Sequence, residues 1–179
     1  CERMFQREML SRRDKRVARA WIARKMYQVF RHLKKKEIWL ISDRLTKADD
    51  NGEAFFTYMN TAGKQSGIDT YFVLNKESED YERLCRAGKV VCYRSVKHKV
   101  LSLLCDKMIS SQGDEYVFNR FFNMAYLYKD IRYQQKIVFL QHGVSQNDLS
   151  GWLARANKNI SLFVTTTRRE HQSILDYPY

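Results

Sequence analysis

Short apolar runs recur along this chain, each ending in polar residues, and amphipathic stretches separate them. The first is Glu37-Ile-Trp-Leu-Ile-Ser42; Asp69–Leu74, Lys89–Tyr93, Asp106–Ser110, Lys136–Leu140 and Ile160–Val164 follow. A brief continuous apolar run bounded by turn residues fits a strand buried on both faces. The intervening stretches read as helices. Glu53–Ala62 carries Ala54, Phe55, Tyr58 and Met59 on one side and stops at Gly63 and Gly67. Ser78–Arg86 is closed by Gly88, Ser95–Leu104 precedes the fourth strand, and Thr167 caps a last helix reaching about Leu175. Strands alternating with helices at a spacing of roughly 20–30 residues predict βαβ units. The expected class is therefore α/β, a Rossmann-like, mostly parallel sheet with helices on both faces, occupying residues 37–179.

The pattern before Glu37 is different. Over residues 1–36, Val17, Ala18, Trp21, Ile22, Met26, Val29, Phe30 and Leu33 recur at helical steps, and Arg16, Arg19, Arg24, Lys25, Arg31 and Lys34 fill much of the rest. The whole chain carries a formal charge of +12, yet this segment alone holds 13 Lys/Arg against 3 Asp/Glu. The basic character thus belongs to a segment and not to the fold, and a basic segment selects an anionic partner. Three readings of such a helix stand side by side. It packs on its own domain, or it lies on an anionic membrane surface with Trp21, Arg24, Lys25 and Phe30 in contact, or it binds nucleic acid through phosphates. No helix-turn-helix, RNP or zinc-finger pattern supports the last, and no nucleic-acid partner is expected.

Polar loops follow three strands: 42–52, 110–114 and 141–148. In an open parallel sheet such loops converge at the carboxyl ends of the strands, where ligands bind. Asp43, Arg44, Asp49, Asp50, Asn51, Gln112, Asp114, His142 and Asp148 would line that cleft, although loops are also polar simply because they lie in water. Val138-Phe-Leu-Gln-His-Gly-Val144 is the most distinctive run, a buried-strand pattern that breaks at His142-Gly143. An imidazole at a strand end can accept a proton near neutral pH, with Asp148 or Asp43 orienting it. Gly143 allows a tight turn or a close backbone approach. The bland alternative is a histidine that caps a strand end. His32, His98 and His171 read as solvated.

Other chemistries lack their signatures. No Gly-x-Gly-x-x-Gly follows a strand, no Walker loop is present, and no serine sits in a Gly-x-Ser-x-Gly elbow. Cys1, Cys85, Cys92 and Cys105 show no metal-ligand spacing, so no metal is assigned. The last three lie among apolar residues, as reduced cysteines do in a cytoplasmic protein. No apolar run approaches the ~18 residues of a spanning helix.

Ile38–Arg44, Ala48–Phe56, Val138–Val144 with Asp148–Trp152, and the ending Ser173–Tyr179 together resemble the CDP-glycerol:poly(glycerophosphate) glycerophosphotransferases, the teichoic acid polymerases and primases of Gram-positive bacteria. The resemblance covers residues 37–179. It implies one half of a GT-B-type transferase: an N-terminal, acceptor-side half, with the C-terminal half that holds the CDP-donor site absent from these residues. It implies transfer of glycerol phosphate, or another polyol phosphate, from a CDP-linked donor to the terminal hydroxyl of a lipid-linked acceptor. The setting is peripheral, at the cytoplasmic face of the cell membrane. His142 takes the position of the family's catalytic base, and Asp43, Arg44, Asn51, Gln112, Gly143 and Asp148 are the expected acceptor contacts. The basic helix becomes a membrane-surface element. No cofactor is expected in this chain; CDP-glycerol is the donor substrate of the longer enzyme. The chain begins at Cys1, which fits an excised piece of a longer protein, inactive by itself. A missing half would expose an apolar face, which a homo-oligomer would also cover. Two alternatives remain: a non-catalytic membrane- or partner-binding module of the same fold, and a GT-B polymerase using a nucleotide sugar.

Overall fold

In a computed structural model, the structure describes residues 15–114, 117, 121, 126–144, 148–154 and 158–179. The helix expected over 1–14, the stretch around Tyr116 and the polar residues 145–147 lie outside the described residues. The elements run α1 (Lys15–Leu33), β1 (Glu37–Ser42), α2 (Asn51–Asn60), β2 (Ile68–Leu74), α3 (Tyr81–Ala87), β3 (Val90–Cys92) and α4 (Val96–Leu104). They continue with β4 (Lys107–Ser110), α5 (Lys129–Tyr133), β5 (Lys136–Phe139), α6 (Ser150–Leu153), β6 (Ile160–Phe163) and α7 (Arg168–Asp176).

The strands form one six-stranded sheet in the order β3-β2-β1-β4-β5-β6, and every pairing is parallel. The fold is Rossmann-like α/β. The strand order reverses between β1 and β4, so the switch point of the sheet lies at the ends of these two central strands, where a crevice opens.

The period-2 alternation of each strand explains the two covered faces. Ile38, Leu40, Val73, Val91, Met108, Ile137 and Phe139 join Leu101 and Cys105 in one cluster. Ile41, Phe72, Leu74 and Ile109 face the other way, against Phe56 and Leu84. Phe56 and Phe72 meet edge to face at 5.4 Å, a favoured aromatic geometry.

Helix α1 is bound to this body. Val17, Ala20 and Ala23 pack against Leu103, Phe121, Leu127, Tyr128 and Ile131. Its C-terminal end is tied by Lys34, whose Nζ contacts both carboxylate oxygens of Asp106 at 2.6 Å. The sequence places Arg24 on the membrane-facing side; the structure turns it inward. Arg24 donates to both oxygens of Asp130, at 2.7 and 2.5 Å, and to the Leu127 carbonyl at 3.1 Å. The guanidinium holds the Asp130 carboxyl below its ordinary range. Trp21 is half-buried with Lys25 above its ring, while Phe30 is exposed. Ile22, Met26, Val29, Phe30 and Leu33 form an exposed apolar stripe beside the packed face. No helix among the described residues is long and apolar enough to cross a membrane.

Two further readings are corrected. His98 is buried, not solvated, because the Ser95 cap sets α4 with His98, Leu101, Ser102 and Leu103 inward. Cys85 is exposed on α3, whereas Cys105 is buried and its thiol is pushed up by desolvation. His32 and His171 are exposed, as the sequence suggested.

Candidate functional site

The crevice at the carboxyl edge is organised by Asp43, the residue after β1. Its Oδ1 accepts the Gly52 N–H at 2.8 Å and the Ser111 hydroxyl at 2.7 Å. Its Oδ2 accepts the Glu53 N–H at 2.9 Å and the Asp50 N–H at 3.3 Å. A carboxylate suits the first turn of a helix, where backbone donors lack partners and the dipole is positive. Asp43 is fully buried, and desolvation pushes its carboxyl up even though these donors pull the other way. Asp43 therefore closes the N-terminus of α2 and joins β1 to the end of β4. It is not a residue of the open cleft, and both its oxygens are engaged by the start of α2 and by Ser111.

Asn51 makes the next link. Its Nδ2 donates to the Gln141 carbonyl and lies 3.4 Å from that of Leu140. The start of α2 is thereby strapped to the end of β5. Gln141 is itself buried: its Nε2 donates to Glu170 Oε1 at 2.9 Å, and its Oε1 accepts the His142 N–H at 3.0 Å. Glu170 Oε2 accepts both the N–H and the hydroxyl of Thr166, at 2.8 and 2.9 Å. The backbone of His142 is thus held from two directions while its side chain is exposed. Gly143 follows at φ 141°, a conformation L side chains rarely adopt, and a Cβ there would meet open space. Backbone freedom, not crowding, requires glycine here.

Asp148 lies two residues before α6 and accepts the Ser150 N–H at 2.8 Å. Among the described residues, neither Asp148 nor Asp43 forms a hydrogen bond or ion pair with His142. The remaining acceptor candidates, Arg44 and Gln112, line a cavity of about 770 Å³ at the ends of β1 to β4. Asn75, Glu77, Tyr93 and Arg94 complete much of its wall. Sequence reasoning missed Asn75, which opens the polar run 75–80 ahead of α3, and Arg94, which stands in the short turn between β3 and α4. Their positions just past two strand ends were the available signal. Glu170 was also missed, although Thr167 followed three residues later by Glu170 has the spacing of a capping box.

A family model described as CDP-Glycerol:Poly(glycerophosphate) glycerophosphotransferase matches residues 23–176. The chain is 41% identical over 172 residues, 96% of its length, to the Minor teichoic acid biosynthesis protein GgaB of Bacillus subtilis (strain 168). It spans 19% of the length of that curated relative.

Proposed function

The chain belongs to the CDP-glycerol:poly(glycerophosphate) glycerophosphotransferase family, and on that premise we propose that it forms the acceptor side of a transferase in teichoic acid biosynthesis. The donor is CDP-glycerol or another CDP-linked polyol. The acceptor is the terminal hydroxyl of a lipid-linked polyol-phosphate chain, presented at the cytoplasmic face of the membrane. The exposed stripe of α1 rests on that surface.

The observation that carries this reading is the His142 loop. The imidazole is exposed at the carboxyl end of β5 while its backbone is fixed by Gln141. A base fixed in this way can meet a hydroxyl delivered from solvent. The ring nitrogen takes the hydroxyl proton as the acceptor oxygen attacks the phosphorus that carries the glycerol. The new P–O bond forms, the bond to CMP breaks, and CMP leaves with its electron pair. The imidazolium then returns its proton to water. No covalent enzyme intermediate is needed.

The test is CMP release from CDP-glycerol by the full-length parent with a lipid-linked glycerol phosphate acceptor. His142→Ala should lower release by about 10²–10⁴-fold, the usual worth of a positioned general base. Undiminished release by that variant would remove His142 from the mechanism. No release by wild type would reject the CDP-glycerol donor.

A further inference from the structure

The cavity at the ends of β1 to β4 lies to one side of His142. Along the sheet order, Arg94 follows β3, Asn75 follows β2, Arg44 follows β1, Gln112 follows β4, and His142 follows β5. Neighbouring strands stand about 4.8 Å apart, so this row covers roughly 19 Å. Two of its five members are arginines.

Arg94 is held in an unusual way. It is a non-glycine residue at φ 64°, in the left-handed region that costs energy for a side chain. Its N–H donates to Nδ1 of the buried His98 at 3.1 Å, and its guanidinium lies 5.3 Å from the centre of the Tyr93 ring. The backbone strain is compensated by a buried partner, and the result is a guanidinium stacked on Tyr93 in the cavity wall. Asn75 is fixed as well, its N–H donating to the Leu45 carbonyl at 2.8 Å. On the same wall Glu77 supplies a carboxylate. It would repel a compact polyphosphate, but it suits a ligand in which hydroxyls alternate with phosphates.

We propose that this cavity is an extended subsite for the polyol-phosphate chain of the acceptor. The chain end is at His142, and preceding phosphodiesters are held by Arg44 and then Arg94. The identity of the ligand rests on the transfer reaction proposed above; the cavity and its two cations do not. Six bonds of about 1.5 Å separate successive phosphorus atoms in a glycerol phosphate polymer, a repeat of roughly 7 Å when extended. A row of roughly 19 Å therefore takes two to three repeats. Planar guanidinium groups match phosphodiester oxygens in pairs, which a single lysine does not. The site would read chain length: an acceptor of one unit reaches only His142, and a longer one also engages both arginines.

The test is fluorescence anisotropy with the full-length protein and two fluorescein-labelled probes, glycerol phosphate oligomers of one and of four units. Wild type should bind the four-unit probe at least about tenfold more tightly than the one-unit probe. Arg44→Gln and Arg94→Gln should each weaken the four-unit probe by about fivefold to tenfold and narrow that ratio. Lys64→Gln, at an exposed turn after α2, should leave it intact. Equal affinity for both probes, no effect of either arginine, an equal loss with Lys64→Gln, or displacement of the long probe by CMP would each overturn the proposal. Melting curves of both arginine variants separate lost binding from lost folding, and Arg44→Gln leaves the strained Arg94 backbone untouched. Because binding is read without turnover, this proposal and the donor chemistry fail independently.

Discussion

Glu170 and Gln141 share a buried hydrogen bond of 2.9 Å, although 29 residues separate them. It links the first turn of α7 to the peptide that presents His142. A broken buried bond to a carboxylate leaves the other partner unsatisfied, which costs more than the bond itself contributes.

Glu170→Ala is therefore expected to destabilise the protein by about 2–3 kcal/mol. It should also lower kcat in the full-length enzyme about tenfold with KM for CDP-glycerol little changed, because the base is displaced while the donor site is not. Combined with Gln141→Ala, the stability losses should fall short of additivity by about 1–2 kcal/mol. Additive losses together with wild-type kcat would make Glu170 a purely structural residue of α7.

The fold was legible because both faces of the sheet are covered. That burial turns each strand into a short apolar run, as in Glu37–Ser42 and Lys136–Phe139, and the helices between them keep their 3.6 period. Helices α5 and α6, of 5 and 4 residues, are too short to show a period and went unseen. The strand order and the site were harder to read. Asn51 looked like a ligand contact, but its partner is a backbone oxygen 90 positions away. Asp43 looked like a cleft residue, and nothing local shows that a helix start folds back over it. His98 looked solvated between Lys97 and Lys99. The Ser95 cap, visible in sequence, would have placed it on the inward side of α4.

Gly52 should tolerate no side chain. A Cβ there would overlap Asp43 Oδ1 and stand 2.8 Å from the Ser42 carbonyl oxygen, which is backbone and has nowhere to move. Gly52→Ala is expected to cost at least about 3 kcal/mol, since overpacking here also breaks the Asp43 bonds to α2. Gly67→Ala, where a Cβ meets nothing within 4 Å, should stay within about 0.5 kcal/mol. Denaturant midpoints of the two variants make the comparison.

The Arg24–Asp130 pair should give the protein an acid-sensitive contribution. The hydrogen bonds and charge of Arg24 lower the Asp130 carboxyl in the folded state, so the unfolded chain binds more protons in the window below the ordinary Asp value. Stability from this pair is complete above that value and is lost as pH falls through the folded one. Asp130→Asn should lower the neutral-pH stability by about 0.5–1 kcal/mol, since the pair is partly open to solvent, and the gap to wild type should narrow as pH falls below the ordinary Asp range. A gap that persists unchanged in acid would show that the loss comes from packing and not from the charge.

The inward turn of Arg24 sharpens what α1 offers to a membrane. Ile22, Met26, Val29, Phe30 and Leu33 remain 41–66% exposed; of these, Ile22, Met26 and Phe30 line a groove with Val96, Val100 and the basic rim of Arg19 and Lys99. Apolar side chains bordered by cations fit an interface of acyl chains and anionic headgroups. Replacing Ile22, Val29 and Leu33 together by Ser should weaken cosedimentation of the full-length protein with vesicles containing anionic lipid by about 100-fold. That corresponds to roughly 1 kcal/mol for each partly inserted side chain. The same triple change should leave the melting temperature nearly unchanged, because none of the three belongs to the packed face of α1. The opposite result, a lower melting temperature with vesicle binding intact, would mean that another part of the protein covers the stripe. Arg24→Gln should show the reverse of the membrane pattern, losing stability through Asp130 while retaining vesicle binding.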